Sequence, residues 1–341
     1  MSQNEIEISL VIVNYKTPQL TFKCIDSIYK QTKNVNFEIV LVDNDSQDES
    51  EKLICEKFTE VIWVNSGMNA GTSIAYNIGV RASKGKYVLI MNSDTEFIDN
   101  AVKIALDEYK KIEEHQKIGM LGCQLLGYDH VIQFNSNLYF PSIKEFLRAN
   151  PFAIKFNKFQ SKLTDEERHL LHLKDHESVW LGIVFGIINM DIFKKENLYF
   201  DEDIFMYSDE VEWCNRLMKK GYKHFFTTKT TILHWNGGSS TSFSEWRFGQ
   251  IIVSSWLNII KTKGKFYFFI CMIIQLSNML LDGLLYFKSK SMKTLNEEDK
   301  EQKIMRKLYW NIFKKYLGPL LFSYKRKTSS RGKFLKYEMN K

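Results

Sequence analysis

Four short apolar runs, separated by segments of helical spacing, leave this chain few ways to fold. ISLVIV (8–13), FEIVLV (37–42), VIWV (61–64) and KYVLIM (86–91) are continuous and rich in Ile and Val. Runs of that length and composition read as buried strands, covered on both faces. Between them apolar residues recur at three and four: Leu20, Cys24, Ile25 and Ile28, then Ile74, Ile78 and Ala82. Repeated strand–helix–strand units predict right-handed crossovers and an α/β, Rossmann-like architecture with a mostly parallel central sheet flanked by helices. Ligands of such sheets bind beyond the carboxyl ends of the strands. Those ends carry Asn14-Tyr15, Asp43-Asn44-Asp45, Asn65-Ser66 and Asn92-Ser93-Asp94, so four polar tips should converge on one crevice.

The pattern past residue 100 is less regular. A helix is expected over about 98–114 and a strand over IGMLGCQLL (118–126). The Lys- and Phe-rich stretch 144–176 reads as a helical insertion or a mobile loop, and SVWLGIVFGIINMDIF (178–193) as buried strand. DEVEWCNRLMKKG (209–221) is a helix stopped by Gly221, with Lys219 and Lys220 where the helix dipole favours cations. KHFFT and TILHW read as two short strands, and everything from Ser244 as helical.

Charge is unevenly placed. Residues 261–341 hold 19 Lys/Arg against 6 Asp/Glu, whereas residues 1–260 hold 28 against 34. A near-neutral body with a basic tail calls for an anionic partner surface at the tail, either nucleic acid or membrane. The segment KFYFFICMIIQLSNMLLDGLLYF (265–287) is long enough to span a bilayer, but Gln275, Ser277, Asn278 and Asp282 interrupt it. Flanked by Lys261, Lys263, Lys265 and Lys288, it suits a helix lying on the membrane; packing on the body or on a partner subunit is the alternative. The interleaved aromatic residues and the lack of a nucleic-acid motif favour the membrane. Five dispersed cysteines argue against a disulfide framework or a zinc site and fit a reducing cytosol. MSQNEIEISL shows no signal peptide, and 44% hydrophobic with 26% charged residues excludes a disordered chain.

Several clusters could carry chemistry, each with a plainer reading beside it. Asp43 in VLVDNDSQDES could accept a hydrogen bond from a pyrimidine ring N–H, while Asp45 and Ser46 could simply cap the next helix. In NSGMNAGTSIAYNIGVRASKGKY (65–87) small residues admit a close backbone approach, and Asn69 or Ser66 could cap a helix whose N-terminus favours phosphate. Tight helix–sheet packing explains the same glycines. No G-x-G-x-x-G and no Walker lysine are present, which argues against a dinucleotide site and a P-loop. In NSDT, Asp94 could supply one oxygen ligand to Mg2+ or Mn2+, which take only one or two protein carboxylates beside substrate phosphates, or NSDT could be only a turn. FDEDIFMYSDEVEWCNRL (200–217) holds six acids behind apolar Phe205, Met206 and Tyr207. A carboxyl at the edge of such a partly dry site has a raised pKa and suits a general base. His234, before Gly237-Gly238, could be structural or could face a phosphate-binding loop.

Taken in order, VIVNY, VDNDS, NAGTSIAYNIG, NSDT, FDEDIFMYSDEVEWCNRL and HWNGGS resemble the inverting family 2 glycosyltransferases, nearest to a bacterial rhamnosyltransferase-like branch. The resemblance covers residues 6–260. It implies a GT-A fold over 1–243, with a nucleotide-binding half (1–115) and an acceptor half (116–243); the charge and apolar pattern make 244–341 a helical, membrane-associating region. The resemblance also implies an inverting, metal-dependent hexosyl- or deoxyhexosyltransferase. The donor would be a UDP- or dTDP-sugar and the acceptor a glycan hydroxyl in bacterial surface polysaccharide or glycoconjugate synthesis; a lipid-linked acceptor would explain the basic, apolar tail. Val13, Asn14 and Tyr15 would contact the nucleoside and Asp43 would read the base. Asn69 and Gly71 would lie beside the donor, and Asn92 and Ser93 would accompany the metal ligand Asp94. His234 would help bind the metal or diphosphate, and Trp180 would stand beside the acceptor. Glu210 would be the base, with Asp209 a competitor, because the family's Glu-Asp pair is inverted here. Asn92 replaces the first acid of D-x-D. Expected partners are the donor, the glycan acceptor, Mn2+ or Mg2+, an anionic membrane on the inner face of the plasma membrane and a second copy of the chain, with no nucleic acid. Without Q-x-x-R-W, one or a few sugars are added. A sugar-phosphate nucleotidyltransferase would carry a Gly-rich loop with Arg and Lys after the first strand, which VIVNYKTPQL lacks. A non-catalytic glycan-binding protein would have no need of Asp43, Asp94, Glu210 and His234 together.

Overall fold

A computed structural model describes residues 5–148, 163–235, 245–290, 297–324 and 336 of the chain. These fall into two compact units, residues 1–140 with 163–242 and residues 141–162 with 243–341.

The first unit begins as its sequence pattern demands. Strand β1 (Ile8–Asn14) leads through helix α1 (Pro18–Gln31) to β2 (Phe37–Asp43), and α2 (Ser50–Lys57) leads to β3 (Ile62–Asn65). Helix α3 (Gly71–Ala82) then returns the chain to β4 (Tyr87–Asn92). β1 to β4 are mutually parallel in the order β3-β2-β1-β4. Alternate residues feed two cores: Leu10 and Ile12 face one side of the sheet, Val11 and Val40 the other. Gly79 of α3 lies so near β1 that a Cβ would come within 2.4 Å of Val11 Cγ1, so its smallness serves helix–sheet packing. Register carries the functional consequence, pairing Asn14 with Asp43, Asp43 with Asn65 and Val13 with Asn92. The polar tips therefore share one edge of the sheet.

Beyond β4 the sheet turns mixed. Short β5 (Thr95–Phe97) precedes α4 (Ala101–Glu113) and β6 (Ile118–Leu126), after which two-residue strands β7 (Ile132–Gln133) and β8 (Ser136–Asn137) follow. Helix α5 (Ile143–Arg148) belongs to the second unit; α6 (Asp165–Leu171), β9 (His176–Ser178), β10 (Trp180–Leu181) and β11 (Phe185–Asn189) belong to the first. Within the stretch 144–176, residues 144–148 lie in α5 and 165–171 in α6, and residues 149–162 lie outside the described residues. Two helices follow, α7 (Met190–Lys194) and α8 (Asp209–Lys219), before β12 (Lys223–His234). The strand expected over 178–193 is divided into β10, β11 and the helix α7, because the Asn189 side chain accepts from Asp191 N and starts a turn. KHFFT and TILHW are one strand, β12, with a register shift between Thr227 and Thr231 where the bulge threonines bond Asp175 and Asp99. The full order is β3-β2-β1-β4-β11-β6-β12-β5.

The second unit is helical: α5, α9 (Glu245–Lys263), α10 (Lys265–Lys290), α11 (Glu297–Gly318) and a π-turn, Pro319–Ser323. Trp256 anchors its core, with ring centroids 5.9 Å from Phe268, 5.9 Å from Tyr309 and 6.2 Å from Phe313. α5 is tied to α10 by Ile143 N donating to Tyr267 OH (2.7 Å) and Asn278 Nδ2 donating to Phe146 O (2.7 Å). Among the described residues no helix is long and apolar enough to cross a membrane.

Candidate functional site

At the tip of β2 a buried network replaces the expected helix cap. Asn14 Nδ2 donates to Asp43 Oδ1 (2.8 Å) and Ser46 Oγ (3.1 Å). Ser46 N donates to Asp43 Oδ2 (3.0 Å), and Ser46 Oγ to Asp43 Oδ1 (2.5 Å). Asp45 and Ser46 do not cap α2; the amide of Ser50 is met by Asp48 Oδ1 at 2.9 Å. Asn14 is fully buried, and its Oδ1 accepts from Thr21 (2.8 Å) and Thr17 (3.2 Å), so it positions Asp43 instead of presenting a free amide to a ligand. Val13 is half-buried against the core, and Tyr15 beside it is exposed. Asn44, which the sequence did not single out, clamps the next loop: its Oδ1 accepts from Ala70 N (3.1 Å), and its Nδ2 donates to Asn69 Oδ1 (3.3 Å) and Gly71 O (3.2 Å).

The N-terminus of α3 is spoken for. Ala70 N meets Asn44, Gly71 N meets Asn69 Oδ1 at 3.4 Å, and Thr72 N donates to Phe205 O at 2.8 Å. Neither Asn69 nor Ser66 caps the helix, and these amides are not open to a phosphate. Gly71, at φ +77°, lies so close to Phe205 that a Cβ would stand 1.8 Å from its carbonyl oxygen. Its glycine is required by this contact and by the left-handed backbone.

That contact docks the acid-rich segment against α3. Tyr207 and Ser208 both adopt left-handed backbone (φ 65° and 60°), swinging the chain so that α8 opens with Asp209 and Glu210. Thr72 Oγ1 donates to Asp209 Oδ2 (2.8 Å), and the Glu210 carboxyl feels the neighbouring Asp209 charge. Burial, then the neighbouring Asp209 charge, pushes the Glu210 carboxyl well above the usual carboxylate range, while part of the residue stays accessible. Asp209 is buried, with one oxygen committed to Thr72.

The NSDT turn meets the end of β12. β5 pairs antiparallel with β12, setting His234 opposite Thr95, and Trp235 N donates to Asp94 O (2.9 Å). His234 Nε2 then lies 3.4 Å from Asp94 Oδ1. Gln133 holds the ring: its Oε1 is 2.6 Å from His234 Nδ1, and its Nε2 donates to His234 O (3.0 Å). In the neutral tautomer that donates Nδ1–H to Gln133 Oε1, Nε2 carries the lone pair on the side of the Asp94 carboxylate. Asp94 and His234 therefore fit a divalent cation as two protein ligands, the number such ions take when phosphate oxygens and water complete the shell. No group of three or more potential ligands occurs among the described residues. Asn92 Oδ1 accepts from Tyr76 OH (3.3 Å), so it is already engaged, and Ser93 Oγ lies 3.3 Å from Thr17 Oγ1. Gly237 and Gly238 lie outside the described residues.

Tyr76 joins the two acidic regions. Its buried hydroxyl is pushed well above its ordinary pKa by burial and then by the charges of Asp209, Glu210 and Asp94. Its hydroxyl bonds Asn92 of the metal turn, one helical turn along α3 from Thr72, which bonds Asp209. Nothing in NAGTSIAYNIG marked Tyr76 or Thr72 as more than helix residues, and no sequence signal marked Gln133, which sits in a two-residue strand.

Beside His234 opens a cleft of about 850 Å³. Trp180, Trp235, Tyr128, Asn135 and Arg168 contribute to its walls. Trp180 is fixed by its indole N–H donating to Tyr139 O (2.9 Å). Buried Asn135 spends its Nδ2 on Cys123 O (3.2 Å) and leaves Oδ1 without a partner.

Comparison with known proteins agrees with this architecture. Residues 9–161 match the model of glycosyl transferase family 2. An uncharacterized glycosyltransferase of Methanocaldococcus jannaschii is 24% identical over 249 residues, covering 67% of this chain and 79% of its own. GlyG, a glycosyltransferase of Streptococcus pneumoniae, is 26% identical over 192 residues, covering 55% of this chain and 58% of its own. A mannosyltransferase from Pyrobaculum calidifontis, solved in complex with GDP-Man and Mn2+, shares the fold with a TM-score of 0.53 at 12% identity, over 95% of this chain and 89% of its own. Residues 9–161 thus match glycosyl transferase family 2, and the central sheet with flanking helices is the GT-A fold.

Proposed function

We propose that the chain moves one sugar from a nucleotide-sugar donor, a UDP- or dTDP-sugar, to a hydroxyl of a glycan acceptor with inversion at the anomeric carbon. The observation that carries this is that α3 holds both acidic regions: Thr72 bonds Asp209 beside the high-pKa carboxyl of Glu210, and Tyr76, one turn on, bonds Asn92 of the turn that carries Asp94 and its partner His234. Asp94 and His234 would hold Mn2+ or Mg2+, which when bound supplies positive charge against the leaving diphosphate. Asp43, fixed by Asn14 and Ser46, turns its remaining acceptor capacity to the base, next to exposed Tyr15. The acceptor lies in the cleft, its sugar faces on Trp180 and Trp235. Ionised Glu210 takes the proton of the attacking hydroxyl; the new C–O bond forms as the anomeric carbon–diphosphate bond breaks on the opposite face. Asp209, bonded to Thr72, keeps Glu210 in place and holds its basicity high. The acceptor class is a lipid-linked glycan of bacterial surface polysaccharide synthesis, met at the inner face of the plasma membrane.

A donor screen tests this: UDP-, dTDP- and GDP-sugars incubated with the chain and Mn2+ or Mg2+, followed by nucleotide release and by binding. Metal-stimulated hydrolysis of at least one donor is expected. Neither hydrolysis nor binding with any of them overturns the reading.

A further inference from the structure

Helix α10 has two unlike faces. Phe268, Cys271, Met272 and Asn278 are buried within the helical unit. Phe266, Phe269, Ile273 and Leu280, at 77%, 46%, 53% and 61% exposure, look outward. Steps of three, four and seven residues put these four on one side of the helix. At 1.5 Å per residue the ridge is about 21 Å long. Lys265 Nζ donates to Leu321 O (2.9 Å), bringing to the same end of α10 the π-turn that carries Phe322, which is 83% exposed. Single exposed apolar residues are ordinary, but an aligned ridge that ends beside a further phenylalanine is a binding surface.

Its charge says for what. From Trp246 to Leu281 the sequence contains no Asp or Glu, while Lys263 and Lys265 are exposed around the start of α10. We propose that the Phe266–Phe269–Ile273–Leu280 face of α10, with Phe322, lies in the plane of an anionic lipid surface, its phenylalanines in the acyl boundary and the neighbouring lysines at the phosphates. A bilayer satisfies both halves of this surface, since it needs no shaped pocket for the ridge and offers negative headgroups to the cations. A second copy of the chain brings the same ridge and the same exposed lysines. The helix lies on the membrane and does not cross it, because half its circumference is already used inside the protein. The inference is independent of the reaction proposed above.

The test is co-sedimentation of the full chain with vesicles of phosphatidylcholine containing phosphatidylglycerol, with vesicles of phosphatidylcholine alone, and with the anionic vesicles at high salt. Tight binding to the anionic vesicles is expected, at least tenfold weaker on the neutral ones and weakened by salt. Phe266→Ser/Phe269→Ser/Ile273→Ser should lose at least tenfold in affinity for the anionic vesicles. Phe266→Gln, a single change at a 77% exposed site, covers the case in which the triple variant fails to fold, and it should weaken binding measurably. Wild-type affinity in both variants overturns the proposal. So does a wild-type dimer that ignores vesicles and that these substitutions convert to monomer by light scattering.

Discussion

Asp43 and Asp94 stand one strand apart on the same edge of the sheet and are equally buried, each 6% exposed. Their surroundings differ sharply. The Asp43 carboxylate accepts from Asn14 Nδ2, Ser46 N and Ser46 Oγ. For Asp94, the polar group within reach among the described residues is His234 Nε2, at 3.4 Å. An acid buried with a full set of donors is a structural joint that can still lend a lone pair to a ligand. One buried beside the lone-pair side of an imidazole is poorly satisfied until a cation arrives. Glu210 belongs with Asp94 in this respect, since its nearest carboxyl partner is another acid and its proton is hard to remove.

The largest effect should follow from Glu210→Gln, which keeps shape and removes the base. We expect transfer to fall by roughly 10²–10⁴-fold in kcat, the usual contribution of a positioned base. Donor affinity should be unchanged by calorimetry. Full activity in Glu210→Gln together with its loss in Asp209→Asn would move the base to Asp209. The next contrast separates the two strand-tip acids directly. Asp43→Ala orphans Ser46 N and Ser46 Oγ and weakens the hold on Asn14, at roughly 1–3 kcal/mol per orphaned group, so thermal unfolding should come at clearly lower temperature. Asp94→Ala should leave thermal stability close to wild type and abolish the stimulation by Mn2+ or Mg2+. Equal stability losses in the two variants would dissolve the distinction.

A smaller change is expected from Gln133→Leu. It frees the His234 ring, and metal activation should then require about 10–100-fold more cation, the usual effect of removing an orienting group. With saturating metal, activity should largely return. If the activation curve does not move, His234 is not a ligand.

What the sequence disclosed and what it hid divide along the same line. The parallel strands were legible because ISLVIV, FEIVLV and KYVLIM satisfy one periodicity over a whole element, and the polar tips followed from where those runs stop. The GT-A architecture came from the order of motifs. The connections that make the site were not legible. The two-residue β7 strand has no pattern of its own, yet it delivers Gln133 to His234. Thr72 and Tyr76 look like ordinary helix residues until α3 is set against Phe205 and β4. Asp45 and Ser46 had good cap chemistry, but the buried Asp43 carboxylate competes for Ser46 more strongly than a solvated helix end does. One-strand continuity through 223–234 was masked by threonines whose side chains bond Asp175 and Asp99 in place of a regular ladder.

The finest test concerns how Asp209 sets the pH response. Glu210 binds its proton more tightly in the folded chain than a free carboxyl does, first through burial and then through the charge of Asp209. Its contribution to stability is therefore present below the ordinary carboxylate pKa and is lost as pH rises through the raised folded value. Catalysis runs the other way, because the base must be ionised, so the acid limb of kcat/KM should lie above the ordinary carboxylate range. Asp209→Asn removes the second cause and leaves burial, so that limb should move to lower pH while the activity plateau changes little. Glu210→Gln should abolish the loss of stability on raising pH across the same interval, read as Tm against pH. An acid limb that stays in place in Asp209→Asn would mean that burial alone sets the Glu210 proton, and that the Asp209–Thr72 bond serves only to seat the helix.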